Sequence, residues 1–139
     1  MKNIVLVGIM GCGKTTCGKY LAQKLQNFEL LDTDLEIEKQ QNLKVSQIFS
    51  QFGENYFRNL EINLVKKIVN DSNKIIATGG GIVENEQNIN LFLKYDTVFY
   101  LNTPLEIVKN RIQNDTNRPL ANNFKEKFKN RESKYKLAH

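Results

Sequence analysis

Eight residues near the start of the chain, Gly8-Ile9-Met10-Gly11-Cys12-Gly13-Lys14-Thr15, have the spacing G-x-x-x-x-G-K-[ST]. Residues of these types in this order form a loop that cradles polyphosphate. Glycines at 8, 11 and 13 suit a backbone that wraps closely round an anion, where Cβ atoms have little room and positive φ can be needed. Lys14 supplies a point charge for the β- and γ-phosphates, and Thr15 a hydroxyl for Mg²⁺. The candidate nucleotide contacts from the loop are therefore Gly11, Cys12, Gly13, Lys14, Thr15 and Thr16. Context agrees with the loop. The apolar run Ile4-Val5-Leu6-Val7 reads as a buried strand feeding it, and a helix opening at Lys14 would aim its free N–H groups and positive end at the phosphates.

Phosphoryl transfer also needs a metal ligand and a positioned acceptor. Asp32-Thr33-Asp34 offers two carboxylates two residues apart at the end of a second strand, a spacing that turns both the same way. Asp32 suits Mg²⁺ through water, and Asp34 suits a substrate hydroxyl whose proton it accepts. Either could instead be no more than the N-cap of the next helix. Gly79-Gly80-Gly81 follows a third strand and is open between a flexible turn and a close approach of ligand to backbone. Arg58 and Glu61 have the spacing of an ordinary i,i+3 helix pair.

The elements that must hold these residues alternate. Strands are expected at Asn3 to Val7, Phe28 to Leu31, Lys74 to Ala77 and Thr97 to Leu101. Helices are expected at Lys14 to Gln26 with Cys17, Tyr20, Leu21 and Leu25 on one face, Leu35 to Gln41, Val45 to Phe52, Asn55 to Val69, Asn85 to Lys94, Leu105 to Asn114 and Phe124 to Lys136. Such alternation predicts an α/β fold, a parallel sheet covered on both faces, with ligands beyond the carboxyl ends of its strands. All three polar or glycine-rich clusters fall on that rim.

With 139 residues and 40% hydrophobic content, one domain over 1–139 is expected. The net charge of +5 gathers at the C-terminal end, where seven basic residues face two acidic ones from Arg118 onward. With no zinc-finger spacing or aromatic-rich RNA-binding signature beside it, this segment suits an anionic small molecule better than nucleic acid. Cys12 and Cys17 form neither a disulfide framework nor a metal-ligand pair, which fits a reducing cytosol. The run after Lys2 reads as strand rather than signal peptide, and no stretch has membrane-spanning length, so a cytoplasmic protein without membrane partner is expected.

The glycine loop, Asp32-Thr33-Asp34, Gly53-Glu54-x-x-Phe57-Arg58-x-x-Glu61, Gly79-Gly80-Gly81 and Arg118-Pro119-Leu120 occur in this order over nearly the whole chain. Together the set resembles the shikimate kinases. The resemblance implies a three-layer α/β/α P-loop kinase fold and transfer of the ATP γ-phosphate to the 3-hydroxyl of shikimate, on the route to chorismate, by a monomer. It implies that Asp34, Arg58, Gly79, Gly80, Gly81 and Arg131 bind shikimate, the arginines taking the carboxylate, and that Glu61 holds Arg58. It implies that Arg111 lies against adenine and that Arg118 reaches the phosphates from a lid spanning about 112–124, with the substrate-binding region at about 33–61. Lys14, Asp34 and Arg118 would be the catalytic set; Thr15 and Asp32 would serve Mg²⁺. Family members continue past the segment matching Arg131 to Ala138 with another strand and helix. Without that strand, Thr97 to Leu101 would present a bare sheet edge. Two other readings remain in play: a kinase of another small acceptor such as gluconate or a nucleoside monophosphate, and a nucleotide-binding module that does not catalyse.

Overall fold

The computed structural model describes residues 2–113 and 124–139. Four parallel strands, β1 (Ile4–Val7), β2 (Glu29–Asp32), β3 (Lys74–Ala77) and β4 (Thr97–Tyr100), form one sheet in the order β2-β3-β1-β4. The register sets Val5 opposite both Ile76 and Val98. β1 and β3 are central and nearly continuous in burial, as expected of parallel strands covered on both faces. The outer strands are half exposed.

Helices α1 (Lys14–Lys24), α2 (Thr33–Gln41), α3 (Val45–Phe52), α4 (Glu54–Ile68), α5 (Glu86–Tyr95), α6 (Leu105–Gln113) and α7 (Phe124–Tyr135) complete the described elements, with a short 3₁₀ turn at Ile82–Glu84. Most boundaries lie within two residues of those expected. α2 starts two residues early, at Thr33, because the Asp32 side chain accepts from the Leu35 N–H at 3.1 Å and caps the helix there. The two aspartates therefore do not share a strand end. Asp32 closes β2, and Asp34 rides the first turn of α2.

A second correction concerns α1. Tyr20, expected on its core face, is 59% exposed, with Lys24 5.5 Å from its ring centroid, and Cys17 and Leu21 are only half-buried. The helix meets the sheet instead through buried Gly18, where an added Cβ would stand 2.7 Å from Leu30 Cδ1. β4 also differs from the bare edge expected. Thr97 and Leu101 donate inward to Asn3 and Val7, so the backbone N–H and carbonyl of buried Val98 point to the edge, and there His139 intervenes: its N–H donates to the Val98 carbonyl at 2.9 Å, and its Nδ1 accepts from the Val98 N–H at 3.0 Å. Phe99 remains 49% exposed beside it.

Candidate active site

The glycine loop leaves β1 and enters α1 through Gly11 at φ 78° and Gly13 at φ 101°, left-handed conformations that a side chain rarely adopts. Cys12 is buried beneath it. The Cys12 carbonyl accepts from the Thr103 hydroxyl at 2.8 Å, a tether from the β4–α6 connection that has no sequence signature. Lys14 is also buried, its ammonium donating to the carbonyls of Gly8 and, at 3.1 Å, Ile9. Thr15 donates to Asp32 Oδ2 at 3.1 Å, so Asp32 caps α2 with one oxygen and meets the loop threonine with the other. The N-cap reading of Asp32 is thus met by one oxygen, and the other is left to the loop threonine. Thr16 is exposed one residue further into α1. Arg111, on α6, donates to the Gly11 carbonyl at 2.8 Å, so its guanidinium lies on the loop backbone rather than on an open helix face. Arg118 and the lid centre lie outside the described residues.

Asp34 stands across the rim against the triple glycine. An added Cβ at Gly79 would come 2.5 Å from Asp34 Oδ1, one at Gly81 would overlap the Arg58 guanidinium, and one at Gly80 would meet Met10 N at 3.2 Å and Arg131 Nη1 at 3.7 Å. None of the three has positive φ, so their glycines serve close approach and not a special turn. It was the ligand that was expected to need this room. In the structure, the side chains of Asp34 and Arg58 occupy it at Gly79 and Gly81, and the Met10 backbone lies closest at Gly80. The segment is fixed from both sides: the Gly79 N–H donates to the buried Thr33 hydroxyl at 2.9 Å, and the hydroxyl of fully buried Tyr135, on α7, donates to the Gly80 carbonyl. Thr33 lay inside a recognised motif without an assigned role, and Tyr135 carried no signal at all.

Burial, reinforced by the charge of Asp32 and opposed by Lys14 and Arg58, pushes the Asp34 carboxyl up to about 6. Its Oδ1 is buried with no hydrogen-bond partner among the described residues. Arg58 donates to Glu61 at 2.7 Å and to Glu54 at 3.2 Å, and its carbon lies 5.5 and 5.9 Å from the ring centroids of Phe57 and Phe49. Burial alone would lower Arg58, yet Glu61, Glu84 and Glu54 hold it above its ordinary value. Glu61 sits in the buried stripe of α4 with Phe57, Leu64, Val65 and Ile68, and burial raises it to about 7 against the pull of Arg58. Arg131 is buried on α7 and pairs with Glu84. The structure thus gathers Asp34, Arg58, Gly79, Gly80, Gly81 and Arg131 at one rim, beside the loop that carries Lys14 and Thr15.

This constellation has counterparts. The family model described as shikimate kinase matches residues 10–138. The shikimate kinase of a Sulfurihydrogenibium species is 43% identical over 100% of this chain and 86% of its own length, and that of Macrococcus caseolyticus 46% identical over 94% and 80%. The structure of the Acinetobacter baumannii shikimate kinase in complex with shikimate superimposes with a TM-score of 0.92 at 35% identity, covering 100% of this chain and 81% of that one. With a family model spanning almost every residue and relatives this similar along its whole length, the chain belongs to the shikimate kinase family.

Proposed function

We propose that this chain transfers the γ-phosphate of ATP to the 3-hydroxyl of shikimate, giving shikimate 3-phosphate and ADP. The observation that carries this reading is Asp34: a half-buried carboxylate with one buried oxygen that has no hydrogen-bond partner among the described residues, influenced both by the loop lysine and by Arg58. The glycine loop binds a triphosphate through its N–H groups and the start of α1, and Lys14 exchanges loop carbonyls for phosphate oxygens. Arg58 and Arg131 take the acid's carboxylate with planar, fixed donors, a geometry lysine cannot copy. That anchors the ring so that one hydroxyl donates to Asp34.

In the transfer, the hydroxyl oxygen attacks the γ-phosphorus, the bond to the β-phosphate oxygen breaks, and the hydroxyl proton passes to Asp34. A carboxyl near 6 is ionised at neutral pH and basic enough to accept it. Thr15 and Asp32 fit Mg²⁺, since two adjacent protein oxygens suffice for an ion that keeps waters and phosphates as its other ligands. When bound, it neutralises charge building on the phosphate oxygens. Arg111 steadies the adenine side of the loop, and Arg118 closes from the lid. We read the protein as a cytoplasmic monomer acting on small molecules without nucleic-acid or membrane partners; among the described residues no helix is long and apolar enough to cross a membrane.

The test is ADP release with Mg²⁺-ATP and shikimate, with gluconate and a nucleoside monophosphate as comparison acceptors. Turnover that requires shikimate is expected. Equal turnover with either comparison acceptor would overturn the acceptor assignment, and ATP binding by a folded chain with no turnover would favour the non-catalytic module.

A further inference from the structure

Glu84 closes the 3₁₀ turn after the triple glycine and lies between the two arginines. Its Oε1 is 2.8 Å from Arg131 Nε and 2.5 Å from Nη2, while its Oε2 is 3.5 Å from Arg58 Nε. Among the described residues it is the one carboxylate that spans both guanidiniums. The other Arg58 nitrogens are engaged by Glu61 and Glu54. An incoming carboxylate therefore finds the Arg131 donor edge already taken by Glu84, and the Arg58 Nε, which has no hydrogen-bond partner among the described residues, facing Glu84 as an ion pair across 3.5 Å. Of the two carboxylates that hold Arg58 most deeply, Glu61 is 1% exposed and packed into α4, whereas the Glu84 side chain is 35% exposed at the rim. Glu84 is the one with room to withdraw. Its backbone stays in place as it does so, anchored by buried Ile82 and Val83 and by Lys134, which donates to the Glu84 carbonyl at 3.1 Å.

We propose that Glu84 is a positioning residue that acts as a built-in competitor: it holds the arginine pair together while the acid is absent, and yields those donors when the substrate carboxylate arrives. The inference rests on the assignment of Arg58 and Arg131 to that carboxylate. Binding the acid then means replacing one carboxylate by another, with the displaced charge remaining a few ångströms away and opposing the newcomer. The device lowers affinity for the acid and keeps the buried Arg131 guanidinium paired while the acid is absent. It also selects against weaker anions, which must displace Glu84 to enter.

Calorimetric titration of the full chain with shikimate, and with its neutral carboxamide, tests this. Glu84→Gln keeps the shape and an acceptor for Arg131 but removes the opposing charge. It is expected to tighten shikimate by about tenfold, the order set by removing one like charge at this range, and to leave carboxamide affinity within about twofold. A structural role would not separate the two ligands. Glu84→Asp keeps the charge but falls one methylene short of spanning both arginines, so it should tighten shikimate less than Gln does. Unchanged or weaker shikimate binding in both variants would overturn the competitor, and this comparison stands on Asp alone if the Gln variant melts early. Arg131→Lys separates the two claims: if it leaves shikimate affinity intact, the carboxylate assignment itself fails; if it weakens shikimate while Glu84→Gln does not tighten it, only the competitor fails.

Discussion

The two halves of the site are built on opposite plans. The nucleotide half is built round one contiguous stretch: Gly8 to Thr16 supply the loop, and its lysine donates to carbonyls of the same loop. The acid half is assembled from α2, α4, the triple glycine, the 3₁₀ turn and α7, through side chains whose partners lie up to 55 residues away. It also concentrates imbalance. Arg58 is met by three carboxylates, the carboxyls of Asp34 and Glu61 are both raised by burial, and among the described residues each has one oxygen without a hydrogen-bond partner. A polyphosphate is a large uniform anion that backbone dipoles can hold, whereas a hydroxy acid presents one charge and several hydroxyls and needs individually placed side chains.

This contrast can be broken or sharpened. The largest effect is expected from Lys14→Ala, which removes charge from the nucleotide half and should reduce turnover by about 10³-fold or more at any shikimate concentration; retention of a tenth of the activity would deny the loop its role. Asp34→Asn should cost about 10² to 10³-fold in kcat, and the unmodified protein should lose kcat/KM as pH falls below about 6, where Asp34 takes up its proton. A profile flat from pH 5 to 8 would remove Asp34 as the base. Arg58→Lys should raise the shikimate KM by about 10 to 100-fold, the worth of a bidentate charge-assisted bond, while the ATP KM changes little; a matching change in both would erase the boundary between the halves.

The smallest effect concerns stability. Asp34 goes from 3.8 to about 6 and Glu61 from 4.5 to about 7, so between these limits the folded chain binds more protons than the unfolded one. Their contribution is most favourable below pH 4 and is lost as pH rises to about 7. Asp34→Asn should therefore raise the melting temperature by a few degrees at pH 7.5, on the order of 2 kcal/mol, with little gain at pH 4. An equal gain at both would disconnect the effect from ionisation.

What the sequence discloses follows the same division. The loop and β1 could be read because one local motif and one apolar run determine them, and α3 because its apolar residues repeat at helical spacing. Asp32 and Asp34 were visible as a pair but not in their geometry, since capping by Asp32 pulls Thr33 and Asp34 into α2. Tyr20 misled because its spacing satisfies the helix period while the contact with the sheet is made through Gly18. Thr33, Thr103, Glu84 and Tyr135 could not be found locally: each is defined by a partner 46 to 91 residues distant in the chain. Arg58 and Arg131 came from resemblance alone.

Gly18 carries a consequence of its own. It sits about a turn and a half from Gly13 along a stiff rod whose near end is the phosphate loop. A methyl group there would stand 2.7 Å from the end of the Leu30 side chain, so either that side chain turns aside or the rod lifts away from the sheet. The displacement would be delivered to the N–H groups that receive the triphosphate, where ångström errors are expensive. If the rod is what moves, Gly18→Ala should behave in kinetics like a lesion of the nucleotide site: position 18 then sets the aim of the loop as a hinge pin sets the swing of a gate.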